Sequence, residues 1–194
     1  MSTDSNASMV EDSIRESTDT IHSLDQSKII AIASRIASSL LEGHKVMFCG
    51  NGGSASQAQH FAAELVCKFR TERKAFDAIA LTTDTSILTA QSNDYSFDTV
   101  FSRQVEAHGR KGDVLVGLST SGNSQNVIHA IMAAKGIGIR TIALIGDDKE
   151  CKLAKIADEV LYVNSSDTPR IQEAHLAAGH MICELVERGL SRQV

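Results

Sequence analysis

Five short apolar runs constrain this chain more than any other feature. They are Val46–Cys49, Ala78–Leu81, Val114–Leu118, Thr141–Ile145 and Val160–Val163. Runs of four or five such residues without polar alternation are what strands covered on both faces look like. Between them lie Ala55–Phe69, Thr85–Gln104, Gln125–Lys135 and Lys149–Ile156, each compatible with one or two helices, and Arg170–Leu190 reads as a closing helix. Five such alternations predict an α/β fold: a parallel sheet with helices on both sides, joined by right-handed crossovers. Ligands in such sheets bind at the carboxyl ends of strands, near the point where strand order reverses. The loops after the first three runs are therefore where chemistry is expected.

Composition narrows the function classes. A chain of 194 residues with 42% apolar residues can bury one core, hence one domain. Its 19 Lys+Arg against 24 Asp+Glu leave a formal charge of -5 with no basic segment, which argues against a nucleic-acid partner. Aromatics are 4% with no Trp, which removes base-stacking platforms. One Pro and 13 Gly argue against a disordered or many-turned all-β chain. Cys49, Cys67, Cys151 and Cys183 show no C-x-x-C spacing and read as buried thiols of a reducing compartment. No apolar run approaches the roughly 20 residues of a membrane span. The opening MSTDSNASMVEDS is acidic and polar where a signal peptide is basic, then apolar. The expectation is a soluble cytoplasmic protein without membrane contact.

Residues 1–8 are expected to be disordered, ahead of a single domain over 9–194 whose segment 9–42 forms two helices. In the first, Val10, Ile14, Ile21 and Leu24 mark a narrow apolar seam that packs on a partner helix, in this chain or another copy. The second places Ile29, Ile32, Ala33, Ile36, Ala37 and Leu40 on one face, and Gly43 is placed to stop it.

The first strand exits into Cys49-Gly50-Asn51-Gly52-Gly53-Ser54-Ala55. Three glycines let backbone amides approach an anion at a helix start. The pattern G-x-G-x-x-A also fits a dinucleotide fingerprint, but the acidic residue wanted about 20 residues on is missing, Asp84 lying some 30 residues past the glycines. A plain tight turn is the bland alternative. The third strand exits into Ser119-Thr120-Ser121-Gly122-Asn123-Ser124. Four hydroxyls and a glycine at a helix N-terminus suit a phosphate monoester better than simple capping, which needs one such residue. Gly117 through Ser124 approaches a P-loop, but Asn123 stands where that loop's Lys belongs, so nucleotide hydrolysis is not expected.

His60 and Glu64, four apart on a helix, share one face about 6 Å apart. Such a pair holds a metal, joins a base to its orienting partner, or is an ordinary solvated couple. In the last helix Gln172 and His180 lie nearly in line, about 12 Å along the axis. His175 sits off that line and reads as a structural or surface histidine, and His180 by default as a core histidine. Spacing alone does not connect His180 to Glu64.

Taken together, CGNGGS at Cys49–Ser54, HFAAE at His60–Glu64, Asn93-Asp94, STSGNS at Ser119–Ser124 and RIQE at Arg170–Glu173 with His175 and His180 resemble the phosphoheptose isomerase family. These belong to the sugar-isomerase (SIS) domain proteins, and the resemblance covers the chain from about residue 10 onward. It implies a three-layer, doubly wound five-stranded sheet in flavodoxin-like order with extra N-terminal helices. It also implies interconversion of sedoheptulose 7-phosphate and D-glycero-D-manno-heptose 7-phosphate for bacterial heptose and lipopolysaccharide synthesis, in a homotetramer. By the same resemblance, Ser119, Thr120, Ser121 and Ser124 would cradle the phosphate. Asn51, Gly52, Gly53, Glu64, Asn93, Asp94 and Gln172 would hold the sugar. His60, Glu64, Gln172 and His180 would bind one zinc ion per subunit, Glu64 and His180 also being the acid/base pair, with no organic cofactor. Two departures are Pro169, where some members have an acidic residue, and Lys68, where some have Arg. The rival readings are a non-catalytic SIS tetramer that binds a protein such as the replication initiator DnaA, and a dinucleotide-dependent enzyme. A pure binding module has no need of Glu64 and His180 together.

Overall fold

The structure is a computed structural model that describes the backbone of residues 3–191 and the side chains of 5–190. Its sheet is five-stranded and wholly parallel, in the order β2-β1-β3-β4-β5. The strands are β1 (Val46–Gly50), β2 (Ala78–Ala80), β3 (Val114–Ser119), β4 (Arg140–Ile145) and β5 (Glu159–Tyr162). Each expected run forms a strand within about a residue of its expected bounds. The central β1 and β3 are buried at every position, as unalternating runs require.

Alternate residues of these strands feed two separate cores. Val46, Phe48, Val114, Val116, Ile142 and Leu144 face a core built with α2 (Gln26–Leu41), α3 (Gly53–Val66) and α8 (Thr168–Ser191). Met47, Cys49, Leu115, Ala143 and Ile145 face the other, built with α5 (Ser102–His108), α6 (Gln125–Ile137) and α7 (Lys152–Ile156). That is the doubly wound, three-layer arrangement with the flavodoxin-like strand order. The region 85–104 divides into α4 (Thr85–Asp94), a 3-10 turn at Phe97–Thr99 and α5. Asp84 N-caps α4, its carboxylate accepting from the Ile87 amide at 2.9 Å, so the one acid considered for a ribose contact serves a helix instead.

Helix α2 starts at an Asp25 cap and is followed by Gly43 at φ 83°, the stop expected there. Helix α1 (Thr3–His22) begins earlier than expected: residues 3–8, read as disordered, are helical, because nothing between Thr3 and the apolar seam breaks a helix. Residues 1–2 lie outside the described ones. The seam splits in two. Leu24 is buried and Ile21 packs on the core, whereas Val10 and Ile14 stand exposed beside Met9. Polar contacts complete the docking of α1 on α8: Arg170 reaches the Ser13 carbonyl and Ser17 hydroxyl, and Ser17 donates to Glu173. Three cysteines are buried as expected; Cys67, at the end of α3, is exposed instead, since that end faces solvent. Among the described residues, no helix is long and apolar enough to cross a membrane.

Candidate active site

The carboxyl ends of β1 and β3 are neighbours, Gly50 pairing with Leu118, and the strand order reverses there. The chain leaves β1 in a turn with no room for a side chain at Gly50, whose Cβ would meet Ser54 and the Leu118 carbonyl at 2.8–3.0 Å. Gly52 then takes φ 55° as the N-cap residue of α3. The two exits are tied together by a pair the sequence did not disclose. Asn51 and Asn126, in the first turn of α6, exchange side-chain amide hydrogen bonds of 2.8 Å in both directions. Only the geometry of adjacent strand tips brings them together.

The β3 exit forms a hydroxyl-lined turn closed by Gly122 at φ 65°. Ser119 is buried, and its Oγ lies 2.9 Å from Ser124 Oγ. The Ser121 hydroxyl accepts from the Asn123 amide. Ser124 is the N-cap residue of α6 yet makes no side-chain cap hydrogen bond, so simple capping does not account for it. The first turn of a 13-residue helix and a serine cluster thus converge on one spot suited to an anion.

A cavity of ≈ 610 Å³ lies between α3 and α8, lined by Gly53, Ser56, Gln57, His60, Gln172 and His180 among others. Here the structure makes the connection that spacing could not. His60 Nε2 sits 2.8 Å from His180 Nε2 and 3.3 Å from Glu64 Oε1. One ligating atom from each of His60, Glu64 and His180 lies within 4.8 Å of the others. His180 is therefore not a core histidine. Its ring stands at 70° to that of His60 with centroids 5.0 Å apart, and the Phe69 ring lies 5.7 Å away on another side.

Imidazole nitrogen and carboxylate oxygen are a donor set suited to zinc. Two nitrogens about 2.0 Å from a tetrahedral ion stand about 3.3 Å apart, so a slight spreading of the rings from 2.8 Å admits one. Gln172 faces the same cavity. Its side-chain amide would stand only 2.7 Å from a Cβ placed on Gly53, and its backbone carbonyl accepts from Gln57 Nε2 at 2.6 Å. Gln57 is a second residue that the motifs did not single out. Asn93 and Asp94, at the exposed end of α4, bond each other at 2.8 Å and are not among the residues lining this cavity. Lys68 pairs with Glu72, and Pro169 borders the cavity from the first turn of α8.

His175, open to two readings in the sequence, is wholly buried under the sheet. Its Nε2 lies 3.3 Å from the Ile145 carbonyl and its Nδ1 has no partner. Burial pulls its pKa down to about 4, the one hydrogen bond only partly opposing this, which favours the neutral ring.

Residues 11–146 match the SIS domain family. A phosphoheptose isomerase of Aliarcobacter butzleri is 54% identical over 160 residues, 82% of this chain and 84% of its own length. One of Geobacter sulfurreducens is 54% identical over 163 residues, 84% and 86%. The structure of a phosphoheptose isomerase from Neisseria gonorrhoeae superposes with a TM-score of 0.85 at 44% identity, covering 95% of this chain and 98% of that one. That of Francisella tularensis gives 0.88 at 35% identity, covering 97% and 100%. The SIS match ends before α8, so Gln172 and His180 fall outside it and within the reach of the full-length likenesses.

Proposed function

This chain belongs to the phosphoheptose isomerase family of SIS-domain enzymes, and we propose that it interconverts sedoheptulose 7-phosphate and D-glycero-D-manno-heptose 7-phosphate through an ene-diol. The observation that carries the reading is the meeting of His60 and Glu64 from α3 with His180 from α8, the two histidines lining one cavity.

The residue chemistry supports each step. The hydroxyls of Ser119, Thr120, Ser121 and Ser124, with the α6 amides, hold the phosphate and so fix the far end of the extended sugar. Asn51, Gly52, Gly53, Asn93, Asp94 and Gln172 hold the hydroxyl-bearing chain. The Glu64 carboxylate takes a proton from C1 of the ketose, which the adjacent C2 carbonyl makes acidic. His180 donates a proton to the C2 oxygen and, as the ene-diol collapses, accepts one from the C1 hydroxyl. Return of the proton to C2 from Glu64 leaves the aldehyde at C1 and both residues in their starting states. His60, Glu64, Gln172 and His180 are the residues that would hold one zinc ion per subunit. Bound there, it would supply Lewis-acid polarisation of the carbonyl.

Assembly into a tetramer is part of the proposal. The exposed Met9, Val10 and Ile14 of α1 supply an apolar stripe for other copies. The proposed place of work is the cytoplasm, supplying heptose for lipopolysaccharide. An NMR time course of sedoheptulose 7-phosphate in D₂O, with and without chelator, tests the reading. The expected result is aldose signals with deuterium entering at C2; an unchanged ketose spectrum under both conditions overturns it.

A further inference from the structure

Glu187 lies seven residues past His180, two turns along the same face of α8, and is buried. A buried carboxylate is costly unless every lone pair is used. Here one oxygen accepts from the Phe69 amide at 3.1 Å and Arg73 Nε at 3.1 Å, the other from the amides of Arg70 at 2.9 Å and Thr71 at 3.0 Å. Three successive N–H groups wrap one carboxylate, an anion nest supplied by the chain itself. Its partner Arg73 is equally buried, with side-chain exposures of 7% and 3% for the pair.

The segment so gripped, just after α3, touches the site at two points. The Phe69 ring packs at 5.7 Å against the His180 ring. Arg73 Nη2 donates 2.8 Å to the carbonyl of Glu64 itself, in the last turn of α3, where helix carbonyls lack intrahelical partners. The same guanidinium lies 3.9 Å over the Phe76 ring, which holds it in place. Were compactness the only requirement, apolar side chains in place of both Glu187 and Arg73 would serve as well or better, whereas loss of Glu187 alone orphans the Arg73 guanidinium and three amides. A four-bond carboxylate instead specifies one conformation for residues 69–73.

We propose that Glu187 is a positioning residue of the isomerase site, acting through Phe69 on the His180 ring and through Arg73 on the Glu64 backbone. It rests on the reading of Glu64 and His180 as the acid/base pair.

The test compares E187Q, F69L and the double variant, as full chains, by kcat and KM for sedoheptulose 7-phosphate and by the His180 ring-proton shifts. Gln keeps the shape but offers one accepting oxygen and opposes an NH₂ group to backbone amides. In E187Q, kcat falls roughly ten- to a hundred-fold with KM nearly unchanged, as for sub-ångström displacement of reacting groups. The His180 ring protons shift, and E187Q costs less in the F69L background than alone. If E187Q does not fold, E187D, which keeps the charge but shortens its reach to the same donors, carries the test through the same kcat loss and His180 shift. The inference is overturned by a folded E187Q, or in its absence an E187D, with unshifted His180 protons, by KM rising with kcat kept, or by full additivity in the double variant. A wild-type protein without turnover instead sinks the isomerase reading, and the His180 shifts then decide the positioning claim by themselves.

Discussion

Gly179 lies against the ring of Phe61, so closely that a β-carbon at 179 would stand only 2.1–2.7 Å from its Cζ, Cε1 and Cε2 atoms. These two residues immediately flank the histidines that meet, Phe61 following His60 and Gly179 preceding His180. The close approach of α3 and α8, and with it the short His60–His180 contact, therefore depends on the missing side chain. In a helix interior, Ala at 179 gains about 1 kcal/mol of propensity over Gly where space is free. Here Phe61 is buried and cannot swing aside cheaply, so overpacking of about 1–3 kcal/mol opposes that gain. Gly179→Ala is expected to lower both urea stability and turnover. A stabilised, fully active variant would show that the helices have slack.

Glu64→Gln is expected to leave folding unchanged, because its carboxylate is only partly buried, next to the exposed His60. Turnover is expected to fall about 10²–10⁴-fold, the range for a lost general base. Parallel thermal melts and deuterium exchange at C1 of the sugar measure both halves. Near-normal exchange in the folded variant would move the base to another residue.

Gly53→Ala tests the fourth ligand without touching a donor atom. Gly53 opens α3 without a positive φ, so Ala adds no backbone strain. Its methyl group, however, would stand only 2.7–2.8 Å from the Gln172 amide atoms and push them aside. Displaced Gln172 is expected to weaken zinc binding by about 10–100-fold, as for other disturbed ligand shells, with thermal stability of the metal-free protein unchanged. Competition against a chromogenic chelator reads the affinity; an unaltered value removes Gln172 from the ligand set.

The architecture was legible because strands covered on both faces admit few polar residues: all five runs became strands, and their alternate residues feed two cores. The two glycine and serine loops were legible for a similar reason, since sharp exits and anion cradles demand particular residue types. What spacing could not show was distance between elements remote in sequence. His60 and His180, 120 residues apart, meet only because Gly179 lets two helices touch. Asn126 and Glu187 carried no motif, since their roles lie in the partners the fold brings: Asn51 in one case, three backbone amides and Arg73 in the other. Cys67 and residues 3–8 departed from expectation where composition was the only guide.

His175 makes a prediction about acid stability that is independent of catalysis. Its ordinary pKa near 6.5 falls to about 4 in the fold because burial disfavours the charged ring. Above pH 6.5 the ring is neutral in both states and the site costs nothing. As pH falls, the unfolded chain binds the proton first, so stability drops through the window from 6.5 to about 4 and the loss then levels off. The full span corresponds to about 3 kcal/mol at most. His175→Asn removes the titration while keeping a polar side chain. Urea unfolding of both proteins across that window is expected to show a steeper decline for the wild type. Because carboxylates titrating in the same range contribute equally to both proteins, the difference in slope isolates His175, and parallel lines would mean that the native ring takes up its proton without penalty.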